Sequence, residues 1–538
     1  MYNRKLAAIF LSTMMAATTL FGCNTTETAT EKESVQTTQE GQNAAAESSD
    51  KKQYEGVLIE VSDEGVTVDG ENAATDKDSA VYVGAEIIYY EEGQDSTYGE
   101  GSEEDAHTAE EAEKHTVITI TQPGTYIVSG TLSAGQIAVD LGEDAREDEN
   151  AVVNLVLDNA DIICTVAPAI VVYNAYECGD INEDTATKDV DTTGAGFNLI
   201  LADDSENIVN GAYVAKIYKE GTTAEQVAAG EAKKAYKFDA AIDSLVSFNI
   251  DTETKGNGKL IVNAENEGIE TSAHMTINGG NITINSCDDA INTNEDGVSV
   301  LTINGGTIVC DAGNGTEGDG IDSNGWIVMN GGSVLANANA KSQDSGIDSD
   351  MGIYLNGGTL IASGNMYDEI SQDSQQLFMV LNFADSVKEG QLISIKDSNE
   401  NIVLEYTAVR SFSTVVFSTA DFKEGDYTVY VDGEQLQHTG AMSQGRQPQQ
   451  MPEGEMPQMN EGAGAEGTRP EGTRQEGQYP QLNGNEMQGA QQEGMPDGQL
   501  QMPSDMGAQQ AELSEASTVF SLSETSYMFS GVSVATAQ

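Results

Sequence analysis

Basic residues are scarce in this chain. Its 538 residues carry 24 Lys and Arg against 89 Asp and Glu, a formal net charge of −65. Nucleic-acid binding needs a basic footprint, so that class is excluded. Such an acid excess suits divalent cations, or a chain kept soluble outside the cell. Cysteine occurs five times. Cys164, Cys178, Cys287 and Cys310 show no CxxC or zinc spacing, which argues against a structural zinc site. Tryptophan occurs once, at Trp326. Of the nine prolines, seven fall between 441 and 510 among Gln, Gly, Glu and Met, a low-complexity tail that cannot pack a core. Helical spacing of apolar residues is missing from the body of the chain. The long apolar run, Leu6 to Phe21 behind Arg4 and Lys5, is too short and too near the start to be trusted as a membrane span. It reads as a secretion signal over 1–22. Leu20-Phe21-Gly22-Cys23 has the form of a bacterial lipobox, with Cys23 as the lipidated residue and the lipid as anchor.

What is present is a repeat. Asn-Gly-Gly stands at Asn278, Asn304, Asn330 and Asn356, 26 residues apart each time. A fixed period means one unit stacked on itself. One residue before each asparagine come Ile277, Ile303, Met329 and Leu355; three before come Met275, Leu301, Ile327 and Ile353. Four residues after it are Ile282, Ile308, Val334 and Leu360; six after are Ile284, Cys310, Ala336 and Ala362. This is period-two alternation on both sides of a Gly-Gly bend, hence two short strands. A third strand carries Ile242, Ile269, Ile291, Ile321 and Ile347. Three strands per ~25-residue turn predict an all-β, right-handed parallel β-helix of roughly eight or nine coils. Equivalent residues then stack roughly 4.8 Å apart. The Asn-Gly-Gly asparagines are expected as an internal ladder bonding along the stack. Cys310 falls in an inward row and Cys287 at a strand end, as free thiols or as a bridge between neighbouring coils.

Stacking also aligns acids. The residue after each third-strand isoleucine is Asp243, Glu270, Asn292, Asp322 or Asp348. Two or three positions before it come Asp239, Glu267, Asp288 with Asp289, Asp319 and Asp344; three after it, Asn294, Asn324 and Asp350. Like charges about 5 Å apart repel unless neutralised. From Asp239 to Asn365 the bases are Lys255, Lys259, Lys341 and His274. Calcium, which takes six to eight oxygens in a tolerant geometry, fits that gap. Composition alone would scatter acids and would not phase them with the repeat. The expected ligands are Asp239, Asp243, Glu267, Glu270, Asp288, Asp289, Asn292, Asp319, Asp322, Asp344, Asp348 and Asp350. Trp326 and Tyr354 are candidate sugar contacts, against a reading as packing between coils.

The expected order along the chain is a signal at 1–22, a lipid anchor and tether at 23–53, a small β segment at 54–92, and an acidic linker at 93–114. The parallel β-helix follows at 115–365, an antiparallel β cap at 366–436, a disordered tail at 437–512, and a closing strand segment at 513–538. An insertion at about 212–236 reads as a short helix or hairpin.

The opening TQPGTYIVSG (121–130), the Ile-x-Asn-Gly-Gly and Gly-Ile-Asp-Ser coils, and Ser-Thr-Val-Val-Phe-Ser (413–418) resemble the clostridial carbohydrate-binding β-helix lipoproteins. The resemblance covers roughly 107–433 and departs at the insertion between Asn174 and Thr193. It implies calcium-binding surface proteins that hold cellulose-like and pectic polysaccharides, with a fold similar to family 9 pectate lyases. Three functions follow. The preferred one is a non-catalytic, monomeric, lipid-anchored polysaccharide binder on the extracytoplasmic face of the membrane. A lyase would need a basic residue to remove a proton acidified by calcium, with Lys341 as the candidate. A scaffold or adhesin would use calcium only for structure.

Overall fold

The computed structural model describes residues 54–443, 509–524 and 526–535. The expected signal, Cys23, the tether and most of the 437–512 tail lie outside the described residues. The described chain is all-β, with helices no longer than five residues. No helix among the described residues is long and apolar enough to cross a membrane.

Strands stack in three parallel columns. In the first, Phe197–Leu201, Phe248–Thr252, Met275–Ile277, Val300–Ile303, Trp326–Met329 and Gly352–Leu355 pair in sequence. The second runs through Glu206–Gly211, Lys259–Ala264, Asn281–Asn285, Thr307–Asp311, Ser333–Asn337 and Thr359–Gly364. The third is an eight-stranded sheet that includes Thr116–Ile120, Gly135–Asp140, Ile170–Asn174, Ala240–Ser244, Glu267–Thr271, Ile291–Thr293 and Asp322–Ser323. Within each column, isoleucine stacks on isoleucine: Ile242, Ile269, Ile291 and Ile321 are 0% exposed. Each such side chain contributes about 1.5–3 kcal/mol through burial.

The Gly-Gly corners have two separate causes. The second glycines, Gly280, Gly306, Gly332 and Gly358, sit at positive φ, where side chains are strained. Three of the first, Gly305, Gly331 and Gly357, are excluded by contact: a Cβ on Gly331 would lie 2.4 Å from the Asn304 carbonyl oxygen of the turn below. Gly331→Ala is therefore expected to lower stability by about 1–3 kcal/mol, as overpacking does, read from a urea midpoint. An unchanged midpoint would show that the corner yields freely. The asparagines do form a ladder. Nδ2 of Asn304, Asn330 and Asn356 donates to Oδ1 of the preceding asparagine at 2.9–3.0 Å. It is not internal, however. Asn278, Asn304 and Asn330 are exposed, because the corner turns their side chains outward.

Both raw edges are covered, which removes unpaired strand groups. Thr359–Gly364 pairs antiparallel with Phe412–Thr419, which also pairs Phe378–Val387. Ser526–Val534 adds to that sheet, parallel to Phe378–Val387 and antiparallel to Glu434–Ser443. Strand pairing thus continues past 436 into the span expected as tail. At the other end, Val57–Ser62 joins Gly124–Leu132 and Val81–Gly84 joins Thr116–Ile120. Residues 54–92 are therefore the first layer of the stack, not a separate segment.

The expected linker at 93–114 is folded. Its Tyr98 rests edge-on against Tyr90 at 5.1 Å, and Glu100 N–H donates to the Lys216 carbonyl at 2.9 Å. A helix, Ala109–Ala112, is closed by a Thr108–Glu111 capping box. The acid excess of this stretch masks these aromatic and capping contacts. The insertion before Asp239 is a hairpin of Val214–Tyr218 and Lys234–Phe238 with a short helix, Ala224–Ala228, at its tip. Cys287 and Cys310 are both free. Cys310 packs inward between Ile284 and Ala336, while the half-buried Cys287 lies beyond its strand, so no bridge forms.

Candidate metal centre

The third column carries the acids because its strands alternate. With the isoleucines turned inward, the next residue faces out, and Asp243, Glu270, Asn292 and Asp322 pair in register. The last turn continues the row: Asp348 N–H donates to the Ile321 carbonyl at 2.8 Å. Asp239, Glu267, Asp289, Asp319 and Asp344 form a second row at the corner before the strand. Asp319 N–H donates to Asp289 Oδ1 at 2.6 Å, and Ser345 N–H to Asp319 Oδ1 at 2.5 Å.

Electrostatics divide these acids into two groups. In the first, Lys237 Nζ lies 2.7 Å from Asp239 Oδ2. Burial works to lower the Lys237 pKa, but Asp239, Glu270 and Glu267 outweigh it and hold the ammonium above the ordinary lysine range. Asp243 Oδ2 accepts Asp239 N–H at 3.1 Å, and Glu270 Oε1 accepts Asn294 Nδ2 at 2.6 Å. Burial, then neighbouring negative charge, pushes Asp243 and Glu267 well up. The repeat gives no signal for Lys237, which stands two residues outside it. Lys237 satisfies Asp239 internally, which removes Asp239 from the free ligand set.

In the second group there is no such cation. Among the described residues, Asp289, Asp319, Asp322, Asp344 and Asp348 enter no ion pair. One oxygen each of Asp319, Asp322 and Asp348 lies within 4.8 Å of the others. Burial, followed by the charge of Asp348, pushes Asp319 up to about 9 and Asp322 to about 7. Asp348 rises to about 6 through burial and Asp368. Asp289 is held well up by burial and by Asp319. Two buried oxygens lower in the same rows have no hydrogen-bond partner: Asn292 Oδ1, next to Asp322 in register, and Glu267 Oε2, one turn further down. An unpaired buried polar atom costs about 1–3 kcal/mol. Crowded hard oxygen donors with no cation beside them are the donor set calcium takes, displacing their protons as it binds.

The remaining candidates scatter. Asp288, beside Asp289 in the chain, is pushed up to about 6 by burial and by Glu317 and Asp344. Asp344 Oδ2 is occupied by Gly318 N–H at 2.6 Å and by the Ser342 hydroxyl. Asp350 is exposed at the rim. Asp368 joins the group from outside the expected ligand set. The chain returns through a bridge between Ser345 and Met366, and Asp368 Oδ2 accepts Ser349 N–H at 3.1 Å. It has no place in the repeat, so period alone gives no signal for it. Lys341 Nζ donates to the Gly315 carbonyl at 2.9 Å and touches no carboxylate among the described residues. Trp326 and Tyr354 stand in the first column, apart from the acids. Lys188 of the 174–193 insertion lies 5.2 Å from the centroid of Tyr354, so that ring is not an open platform.

A family model described as carbohydrate-binding domain-containing protein matches residues 114–194 and 180–430, together more than half of the chain. A protein of that same description from Acetivibrio thermocellus is 31% identical over 172 residues. That alignment covers 31% of this chain and 44% of the relative, so the chain spans less than half the relative's length. Among solved structures, the gadolinium derivative of a polysaccharide lyase-like protein from C. thermocellum aligns at a TM-score of 0.33 and 20% identity. It covers 59% of this chain and 95% of that one.

Proposed function

We propose, from the premise that the chain belongs to the family of carbohydrate-binding domain-containing proteins, that it is a non-catalytic, calcium-binding polysaccharide receptor of the cell surface. We read its three columns as a right-handed parallel β-helix and Cys23 as its lipid anchor. The observation that carries the calcium reading is the cluster of Asp319, Asp322 and Asp348, with the orphaned Asn292 Oδ1 next to Asp322 in register. Asp319, Asp322 and Asp348 would hold the ion. Bound there, calcium would offset the carboxylate repulsion and supply positive charge to the carboxylates of a pectic chain.

A lyase reading has less support. A proton-abstracting lysine must be neutral, whereas Lys237 is held protonated by its acids and Lys341 is turned to a carbonyl. The test is retention on immobilised pectate, with metal content measured in parallel. Calcium is expected to retain the protein, and chelator to release it. Failure to bind any glycan with calcium present would refute the receptor reading and leave a scaffold with structural calcium. An unsaturated product absorbing in the ultraviolet would replace it with a lyase.

A further inference from the structure

The third column does not begin with acids. Its outward row starts at Thr119, continues through Ala138 and Val171, and only then reaches Asp243. Val117, Thr119, Gln136 and Ala138 alternate with the core residues Ile118, Ile120, Ile137 and Val139, so they face outward. Yet none is more than 8% exposed. They form the floor of a cleft of about 660 Å³. One wall is the stretch from Tyr82 to Ile88. Tyr173 and Tyr236 stand on the other, Tyr173 packed edge-on against Phe238 at 5.7 Å and Tyr236 tilted on that ring at 6.2 Å. Tyr236 is 41% exposed, an uncovered large aromatic beside a deep cleft.

Arg146 also lines the cleft. The described residues include two arginines. Arg410 pairs with Asp311, whereas Arg146 has no ion pair despite the surrounding acid excess. It is held by neutral acceptors: Nε donates to Asn174 Oδ1 at 3.0 Å and Nη2 to the Tyr173 carbonyl at 2.9 Å. Asn174 in turn donates to Asp140 Oδ1 at 2.9 Å. The guanidinium is thus fixed by two bonds, with Nη1 left for a ligand.

Charge decides which ligand fits. Arg146 and Lys77 line the cleft against Asp140, Glu143 and Glu86, and Lys77 is paired with Glu86. A carboxylate-bearing sugar would meet uncompensated Asp140 and Glu143. An uncharged sugar presents hydroxyls that donate to those carboxylates and accept from Arg146, while its apolar ring face stacks on Tyr236. The volume lies within the range of small-ligand sites. We propose that this cleft is a calcium-independent subsite for an uncharged glycan segment, with Tyr236 as its platform and Arg146 as its fixed donor. The proposal rests on the chain being a glycan binder but not on its calcium.

The test is calorimetric titration of the protein in chelator with neutral glucan, mannan and xylan hexasaccharides, and with oligogalacturonate. At least one neutral hexasaccharide is expected to bind without calcium. Tyr236→Ala should weaken it at least about tenfold, and Tyr236→Phe by less than about threefold. Because Tyr236 is exposed on a hairpin, both variants should fold, which circular dichroism checks. No neutral binding in chelator, an unchanged affinity in Tyr236→Ala, or tighter binding of oligogalacturonate there would each overturn the subsite. Loss of calcium-dependent pectate retention with neutral binding intact would instead refute only the receptor reading of the acidic column.

Discussion

Asp319→Asn is expected to stabilise the calcium-free protein and to remove most of the stabilisation that calcium brings. The two effects have opposite sign because one charge does both. Asp319 stands between Asp289, Asp322 and Asp348, and its Oδ1 already accepts Ser345 N–H. Asparagine keeps the shape and the acceptor oxygen. Without metal, it removes a carboxyl that must take up a proton on folding at pH 8, because its folded pKa is raised to about 9, so the melting temperature should rise by about 1–3 °C. With metal, it would delete a proposed charged ligand. Even outer partners of a metal site are worth about 10–100-fold in affinity, so a direct ligand should cost on the order of a hundredfold or more. Differential scanning calorimetry with and without calcium reads both. A variant that melts lower than wild type in chelator and responds equally to calcium would mean that Asp319 is only a structural acceptor.

The second large effect is a reversal of pH dependence. In chelator, the protein is expected to lose stability as pH rises from about 4 to about 9. The folded-state pKa values of Asp288, Asp348, Asp322 and Asp319, about 6, 6, 7 and 9, lie above the ordinary 3.8. A carboxyl raised by folding binds more protons in the native state than in the unfolded one. Its contribution is therefore fully present below the unfolded pKa and lost as pH climbs through the folded one. Each unit of displacement corresponds to about 1.4 kcal/mol. Calcium at the proposed site should cancel the loss, since it would bind the deprotonated set. At about 1,000 times its dissociation constant, an ion adds about 4 kcal/mol per site at high pH, and less near pH 5, where protons compete. Chemical denaturation across pH, in chelator and in calcium, measures this directly. A chelated protein equally stable at pH 5 and pH 8.5 would show that solvent already screens these acids.

Legibility in the sequence follows the repeat. Alternation alone turns Ile277, Ile303, Met329 and Leu355 inward, and all are 2% exposed or less. The same period aligns Asp243, Glu270, Asn292 and Asp322, because equal loop lengths bring equivalent positions to adjacent strands. For the asparagine ladder the period gives the right neighbours and the wrong side. It fixes who stands next along a row, but a corner has no alternation to tell inside from outside. The stretch 93–114 reads as a linker because its acids outnumber its one tyrosine, Tyr98.

Sequence by itself determined an all-β stacked chain, the rows its side chains fall in, and the crowding of acids on one of those rows. Tertiary structure alone decided which acids already have a cation. Lys237 arrives from a hairpin and Asp368 from a returning segment, and neither obeys the period. It also decided that Lys188 covers Tyr354 and that Tyr236 overhangs a cleft. Within the stack, contacts repeat because the spacing repeats. Insertions and ends carry no period, so their contacts depend on where the folded chain delivers them.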